Sequence, residues 1–289
     1  MKFNVHENIF RDPTNGLLNQ RLLWGWLELA NATDLNDRER ENLFRVIQFI
    51  AIKLAALHNH KTRYGSIEDE LVAKVRAAPP SEPMVHQRLE VSQDLFLELD
   101  EFLVQLKSAL DHVATVPRVM LGSKRWNLRR FGEKGDVVAK ALRHNLPADL
   151  KPTGEFMCEH LMKPNRPWLE TAIDLRDRIN HYLDGSVAVE NFAVHKIPGA
   201  ENTTVAVPMW NAEQSLRQML DILWWNTFQF VEDFVAFSIG LRKNKGVAFA
   251  KHASVESLTP VWTVALDPEL AASLAKTIAE SNERPPNAR

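Results

Sequence analysis

The sequence predicts a mainly α protein: a helical bundle with an N-terminal helical extension and a small accessory β hairpin. Apolar residues recur every three to four positions through two long stretches, 89–116 and 216–234, which is the period of a helix with one buried face. Asn, Ser, Pro and Gly punctuate the chain where such helices begin and end. Between the last two long helices, 187–197 and 203–207 are rich in β-branched and aromatic residues around Pro198 and Gly199, the pattern of a hairpin.

Taken in order, Leu17, Leu18, Leu22, Leu23, Trp26, Leu27 and Ala30 form the stripe of a first helix that stops before the polar stretch 33–37. Asn36 with Glu39 has the spacing of a capping box and opens a second, strongly apolar helix. Ser66 with Asp69 predicts the start of a shorter helix that ends by Pro79 and Pro80, and Ser81 and Pro83 extend the break. From 89 to 116, Leu95, Leu99, Phe102, Leu103, Leu106, Leu110 and Val113 make a core stripe about 100° wide. A polar loop at 122–135 leads to a short helix at 137–144 closed by Pro147. Pro167 suits the first position of a helix running to Asp184 and ending at Gly185. Asn211 with Gln214 caps the next, whose buried face is Leu216, Met219, Leu220, Leu223, Val231 and Phe234. Thr259–Leu266 adds a strand, and Asp267 with Pro268 starts a final helix before the polar tail 281–289. The expected organisation is an N-terminal helical region (1–85), a helical bundle (86–246) with the hairpin inserted near 187–208, and a C-terminal strand, helix and tail (247–289).

The 289 residues are 45% hydrophobic, enough for one sizeable core and a smaller flanking unit. Lys and Arg number 35 against 37 Asp and Glu, so any attraction to a polyanion must come from a local patch. A single cysteine, Cys158, excludes an internal disulfide and any Cys cluster for zinc, which suits a reducing compartment; the expectation is the cytoplasm. Residues 1–13 lack the apolar core of a secretory leader. The apolar run 43–57, broken by Arg45, Gln48 and Lys53, falls short of the ~20 residues that cross a bilayer, so no membrane association is expected. Phosphate-loop, nucleophile-elbow and dinucleotide-turn patterns are absent, and no cofactor or metal is expected. Cys158, beside Glu159 and His160 on irregular chain, reads as a bystander thiol, and His58-Asn59-His60 as exposed residues at a helix end.

One helix carries the chemistry. At 100° per residue, Leu169, Ala172, Ile173, Ile179 and Leu183 share a face, with Arg176 near its centre and Asn180 beside it. An unpaired guanidinium there is costly, so Arg176 should meet a carboxylate, a partner chain or an anionic ligand. Asp177 and His181, four apart, lie on the flank of the stripe within reach of each other. A structural ion pair at Arg176 and a hydrogen-bonded core histidine would account for the same pattern.

Arg176-Asp177-Arg178-Ile179-Asn180-His181 resembles the Arg-polar-x-x-x-His signature of the HEPN superfamily of helical domains. The preceding long helix, with Leu99-Asp100-Glu101-Phe102-Leu103 and Ser108-Ala109-Leu110-Asp111-His112, also resembles the first core helix of bacterial HEPN-like proteins, so the likeness spans about 89 to 240. The resemblance implies a HEPN-like bundle and metal-independent endoribonuclease activity in a homodimer that brings two Arg and two His into one cleft. It also implies a toxin or antiphage effector, with a cognate antitoxin or defence-system protein as partner. His181 would serve as general base or acid toward the RNA 2′-OH, Arg176 would clamp the phosphate, Asp177 would orient the histidine and Asn180 would bond the phosphate. Asp177 stands where many of these domains carry Asn, which adds negative charge beside the phosphate. Asp111 is an auxiliary candidate on the preceding helix. The alternative is a non-catalytic HEPN-like module in which the motif binds nucleotide, RNA or a protein partner.

The loop 122–135 offers an RNA surface: Lys124, Arg125, Arg129 and Arg130 for phosphates, with Trp126 and Phe131 to stack on unpaired bases. The competing reading docks both aromatics onto the bundle and leaves the charges solvated. Arg242, Lys243 and Lys245 read as a basic helix C-terminus satisfying its dipole. Glu98, Asp100, Lys107, Asp111 and His112 lie outside the main apolar stripe of their helix and are expected to be solvated or at an interface.

Overall fold

The computed structural model describes residues 11–78, 90–181, 192–196, 204–252 and 258–273, with the side chains of 90, 91, 180 and 181 outside that description. The chain is mainly helical, as the periodicity predicts. A π-helical segment, Leu17–Leu23, runs into α1 (Trp24–Asn31). α2 follows (Asp37–Ala77), then β1 (Glu90–Val91), α3 (Gln93–Val113), α4 (Val116–Leu121) and α5 (Asp136–His144). α6 (Lys151–Met157), a π-helical segment (Cys158–Met162) and α7 (Lys163–His181) form one continuous helical run. β2 (Ala193–Lys196), β3 (Val205–Ala206), α8 (Leu216–Gly240), β4 (Val247–Lys251) and β5 (Trp262–Leu266) complete the order.

Local chemistry explains the starts. Asn36 and Glu39 form the reciprocal box, each backbone N–H donating to the other side chain at 3.0 Å. The box of α8 is Ser215 with Gln218, not Asn211 with Gln214. Asn211 instead accepts from the N–H groups of Glu213 and Gln214 within the preceding turn. Ser66 caps nothing: its hydroxyl donates back to Thr62 O, as Thr62 does to His58 O, and α2 runs through it unbroken over its 41 residues. Gly65, which resembles a terminator, is there because the Arg217 guanidinium lies 3.2 Å from where a Cβ would stand. Pro167 likewise sits inside α7 rather than at its start. Pro164 and Pro167 each remove a helical donor, and a widened π segment lies just before them; Asn165 Nδ2 donates to Leu161 O at 2.8 Å in the same turn.

Two compact units emerge, Met1–Gln48 with Val116–Asn127 and Val235–Arg289, and Phe49–Thr115 with Leu128–Phe234; both cut across the sequential segments 1–85, 86–246 and 247–289. In the first, Leu18, Leu22, Leu23 and Trp26 are buried, and β4 pairs antiparallel with β5 from Val247↔Leu266 to Lys251↔Trp262. Arg242 belongs to this unit as a strut: its Nε bonds Asp34 Oδ1 at 2.6 Å and its Nη1 bonds Met120 O at 3.0 Å. Arg242 lies just past the C-terminus of α8, and its planar fork with several donors ties two segments at once.

In the second unit the α3 stripe, Leu95 through Val113, is buried throughout, as are the expected residues of α8. The hairpin is present as β2 and β3, and β1 joins β2 by Glu90↔Val194 and Val91↔Ala193 to make a three-stranded antiparallel sheet. The tip of the hairpin, 197–203, lies outside the described residues. No helix among the described residues is long and apolar enough to cross a membrane.

Candidate functional site

α7 buries Leu169, Ala172, Ile173 and Ile179, the stripe its sequence predicts; Leu183 lies outside the described residues. Arg176 leaves that stripe through its long stem: its side chain is 32% exposed, and Nη1 lies 2.7 Å from Asp177 Oδ1. The required carboxylate is therefore the next residue on the same helix. A second is Asp100 of α3, whose carboxyl is pushed up by burial and by Glu101 while the Arg176 charge pulls it back. Asp177 is engaged with Arg176, and the contact expected between Asp177 and His181 falls outside the described residues. His181 is the last described residue of α7, and the side chains of Asn180 and His181 are not described.

The neighbouring face of α7 lines a cavity of about 630 Å³. Glu170, Asp174 and Arg178 stand one turn apart along it, with Thr171 between the first two. Leu99, Leu175 and Leu216 supply buried apolar surface, and Met209 and Trp210 approach from the turn before α8. Glu170 is occupied by Arg166 Nε at 2.7 Å. Arg178 lies inside the motif, yet the signature assigns it no role, so only the cavity reveals it.

The other predicted residues part company. Trp126 and Phe131 are both fully buried, which overturns base stacking by Trp126 and bears out docking onto the fold; Phe131 meets Phe230 edge to face with centroids 5.7 Å apart. Lys124 and Arg125 are exposed in the first unit, Arg129 and Arg130 in the second. Asp111 serves this loop: its Oδ1 accepts from Phe131 N–H at 2.7 Å and pairs with Lys107 at 2.6 Å. Asp111→Ala is expected to cost about 1–3 kcal/mol of stability by orphaning that N–H. Urea unfolding measures this, and an unchanged midpoint would show that the bond is not made in solution.

Cys158 is helical rather than on irregular chain, and buried; burial pushes its thiol up, and Sγ donates to Ala139 O, so it is no nucleophile.

Two clusters form because α2 continues through the break expected before Ser66. His60, expected at an exposed helix end, has Nδ1 2.7 Å from Oε2 of Glu98, which is buried and not solvated; Arg63 Nη2 reaches Glu98 Oε1 at 3.0 Å. His58 meets Trp224 edge-on at 5.2 Å. Their signal was His60 and Tyr64 at i and i+4, in step with the buried face of α2.

Four residues further on is Glu68, 5% exposed, with burial raising its carboxyl above the ordinary 4.5 against the pull of Arg217. Burial and the Glu68 charge also push the Tyr64 hydroxyl well up. A raised folded-state carboxyl holds its proton more tightly than the unfolded chain does, so its contribution is favourable in acid and is lost as pH climbs through the folded value. Glu68→Gln should therefore melt higher than wild type at pH 7 and show a smaller difference at pH 4. Equal melting curves at pH 7 would count against the burial.

No group of metal-binding side chains occurs among the described residues. Compared with known proteins, the chain matches no family model, no curated protein and no solved structure.

Proposed function

We propose that the protein is a metal-independent endoribonuclease of HEPN type, working through Arg176 and His181 near the end of α7. Its support is Arg176: a guanidinium rising from an apolar stripe to a one-third exposed position, five residues before a histidine, on a helix of a helical unit. Such a guanidinium can exchange its contact with Asp177 for two parallel bonds to a phosphodiester. His181 would take the proton of the RNA 2′-OH as that oxygen attacks phosphorus. The P–O5′ bond breaks, and the leaving oxygen gains a proton, giving a 2′,3′-cyclic phosphate and a 5′-hydroxyl. Arg176 would stabilise the charge gathering on the phosphoryl oxygens. Asp177 would anchor the resting arginine, and Asn180 would bond the same phosphate.

A homodimer would place two copies of the motif across one substrate. A cytoplasmic toxin or antiphage effector, restrained by a cognate antitoxin or other defence partner, is the role in which such an activity fits. The single cysteine suits that compartment.

The second reading is a non-catalytic module for nucleotide, RNA or a protein partner. The 2.7 Å Asp177 contact favours it, because a neutralised arginine binds phosphate less strongly. Cleavage of mixed RNA in EDTA by wild type and His181→Ala, with product ends identified, separates them. Cyclic phosphate ends from wild type alone support the enzyme; saturable binding without cleavage removes it.

A further inference from the structure

We propose that the α7 cavity is a guanine-recognising subsite in which Asp174 reads the base edge, Arg178 holds the attached phosphate and Trp210 stacks on the ring. This rests on the RNA-directed reading above and deepens it by naming a base. Four observations carry it.

The cavity, about 630 Å³, lies within the range of sites that enclose small molecules, and it has buried apolar surface from Leu99, Leu175 and Leu216 against which a flat ring can lie. Trp210 is presented by a tightly fastened turn. Its N–H donates to Gln214 O at 2.8 Å, and Leu216 N–H donates to Pro208 O at 3.0 Å. Its indole has no ring partner among the described residues, unlike Trp168 and Trp224, which pack on phenylalanines. A half-buried indole fixed at a cavity mouth is a platform for a planar ligand.

The carboxylates of the cavity are not equivalent. Glu170 is held by Arg166, whereas Asp174 has no hydrogen bond or ion pair among the described residues. A carboxylate accepts and never donates while ionised. Guanine alone of the four RNA bases offers it two adjacent donors, N1–H and N2–H. Adenine and cytosine set an acceptor lone pair beside their amino group, and uracil sets a carbonyl on each side of its single N–H, so each would meet Asp174 with repulsion.

Arg178 stands one turn beyond Asp174, roughly 6 Å along the axis, and its long side chain extends that span toward a phosphate.

The test is calorimetric titration of full-length protein with GMP, AMP, CMP and UMP. GMP should bind about tenfold or more tighter than the others, the discrimination of one bidentate contact. Asp174→Asn should lose that preference and gain affinity for xanthosine monophosphate, whose N1–H and O2 match an amide oxygen and amide N–H. Arg178→Ala should weaken GMP but not guanosine, which has no phosphate, and Trp210→Leu should weaken all four by about tenfold. Equal binding of the four nucleotides, no binding, or a guanine preference that Asp174→Asn leaves intact would overturn the assignment. A protein that binds GMP but cleaves nothing keeps the subsite and loses the ribonuclease; one that cleaves without guanine preference does the reverse.

Discussion

Arg176→Ala is expected to cleave RNA at least about a hundredfold more slowly than wild type while its melting temperature falls by only a few degrees. The two halves of that expectation have separate causes. On the stability side, the Arg176–Asp177 pair joins adjacent residues whose side chains are each 32% exposed, and pairs of that kind contribute ~0–1 kcal/mol once water screens them. Asp100 would lose a compensating charge, and its carboxyl, already pushed up by burial, would be pushed up further. On the activity side, a guanidinium meeting developing phosphoryl charge acts where no water replaces it, and removal of one such group costs ~10²–10³ in rate. Arg176→Lys is the sharper control: it keeps the charge and should recover only part of the rate, because an ammonium cannot form two parallel bonds to phosphate. A variant that cleaves normally removes Arg176 from the chemistry. One that unfolds instead makes the residue structural, and then Asp177→Ala should unfold as well.

How far the sequence foretold these features depends on the range of the interaction involved. The α3 stripe and the Asn36–Glu39 box were legible because both are properties of a single turn or helix face. The end of α2 was not. His58, Gly65 and Ser66 each favour termination locally, yet Trp224, Arg217 and the Thr62 carbonyl give them partners in a continuous helix. Tertiary contact overrides propensities worth ~1 kcal/mol each. The same cause hid β1 and β4, strands of two and five residues that exist only through pairing with β2 and β5.

At the candidate site the division is similar. Arg176 was legible as a charge out of pattern, and its need for a carboxylate followed from burial. Which carboxylates answer it depends on rotamer and packing: the adjacent Asp177 bonds it directly, and Asp100 of α3 feels its charge. Trp126 was misplaced because an aromatic among basic residues looks the same in sequence whether its ring faces solvent or core. Asp174 and Arg178 carry no mark in the sequence, because nothing in a helix sequence announces that the residues opposite it, Trp210 among them, leave a space.

Gly154→Ala should destabilise the protein by at least about 2 kcal/mol, against the helix-propensity expectation that it would stabilise α6 by about 1 kcal/mol. A Cβ at this position would lie only 2.3 Å from the backbone oxygen of Leu142 in α5, and 2.5 Å from Leu146 Cδ1. Leu146 can rotate its side chain away. The Leu142 carbonyl cannot move unless α5 moves, so the added methyl group has to push the two helices apart. Overpacking of this kind typically costs ~1–3 kcal/mol, and backbone against backbone is its severe form. The expected loss corresponds to a fall in melting temperature of roughly 5 °C or more. The effect should also reach the site, because α6 continues through the π-helical segment into α7, which carries Asp174, Arg176 and Arg178. RNA cleavage and GMP binding by Gly154→Ala, measured well below its melting point, should therefore both weaken while each of those side chains is intact. An unchanged or higher melting temperature would mean that α5 and α6 sit further apart in solution, and the position of α7 would then have to be set by its contacts with α3 and with Phe230 of α8.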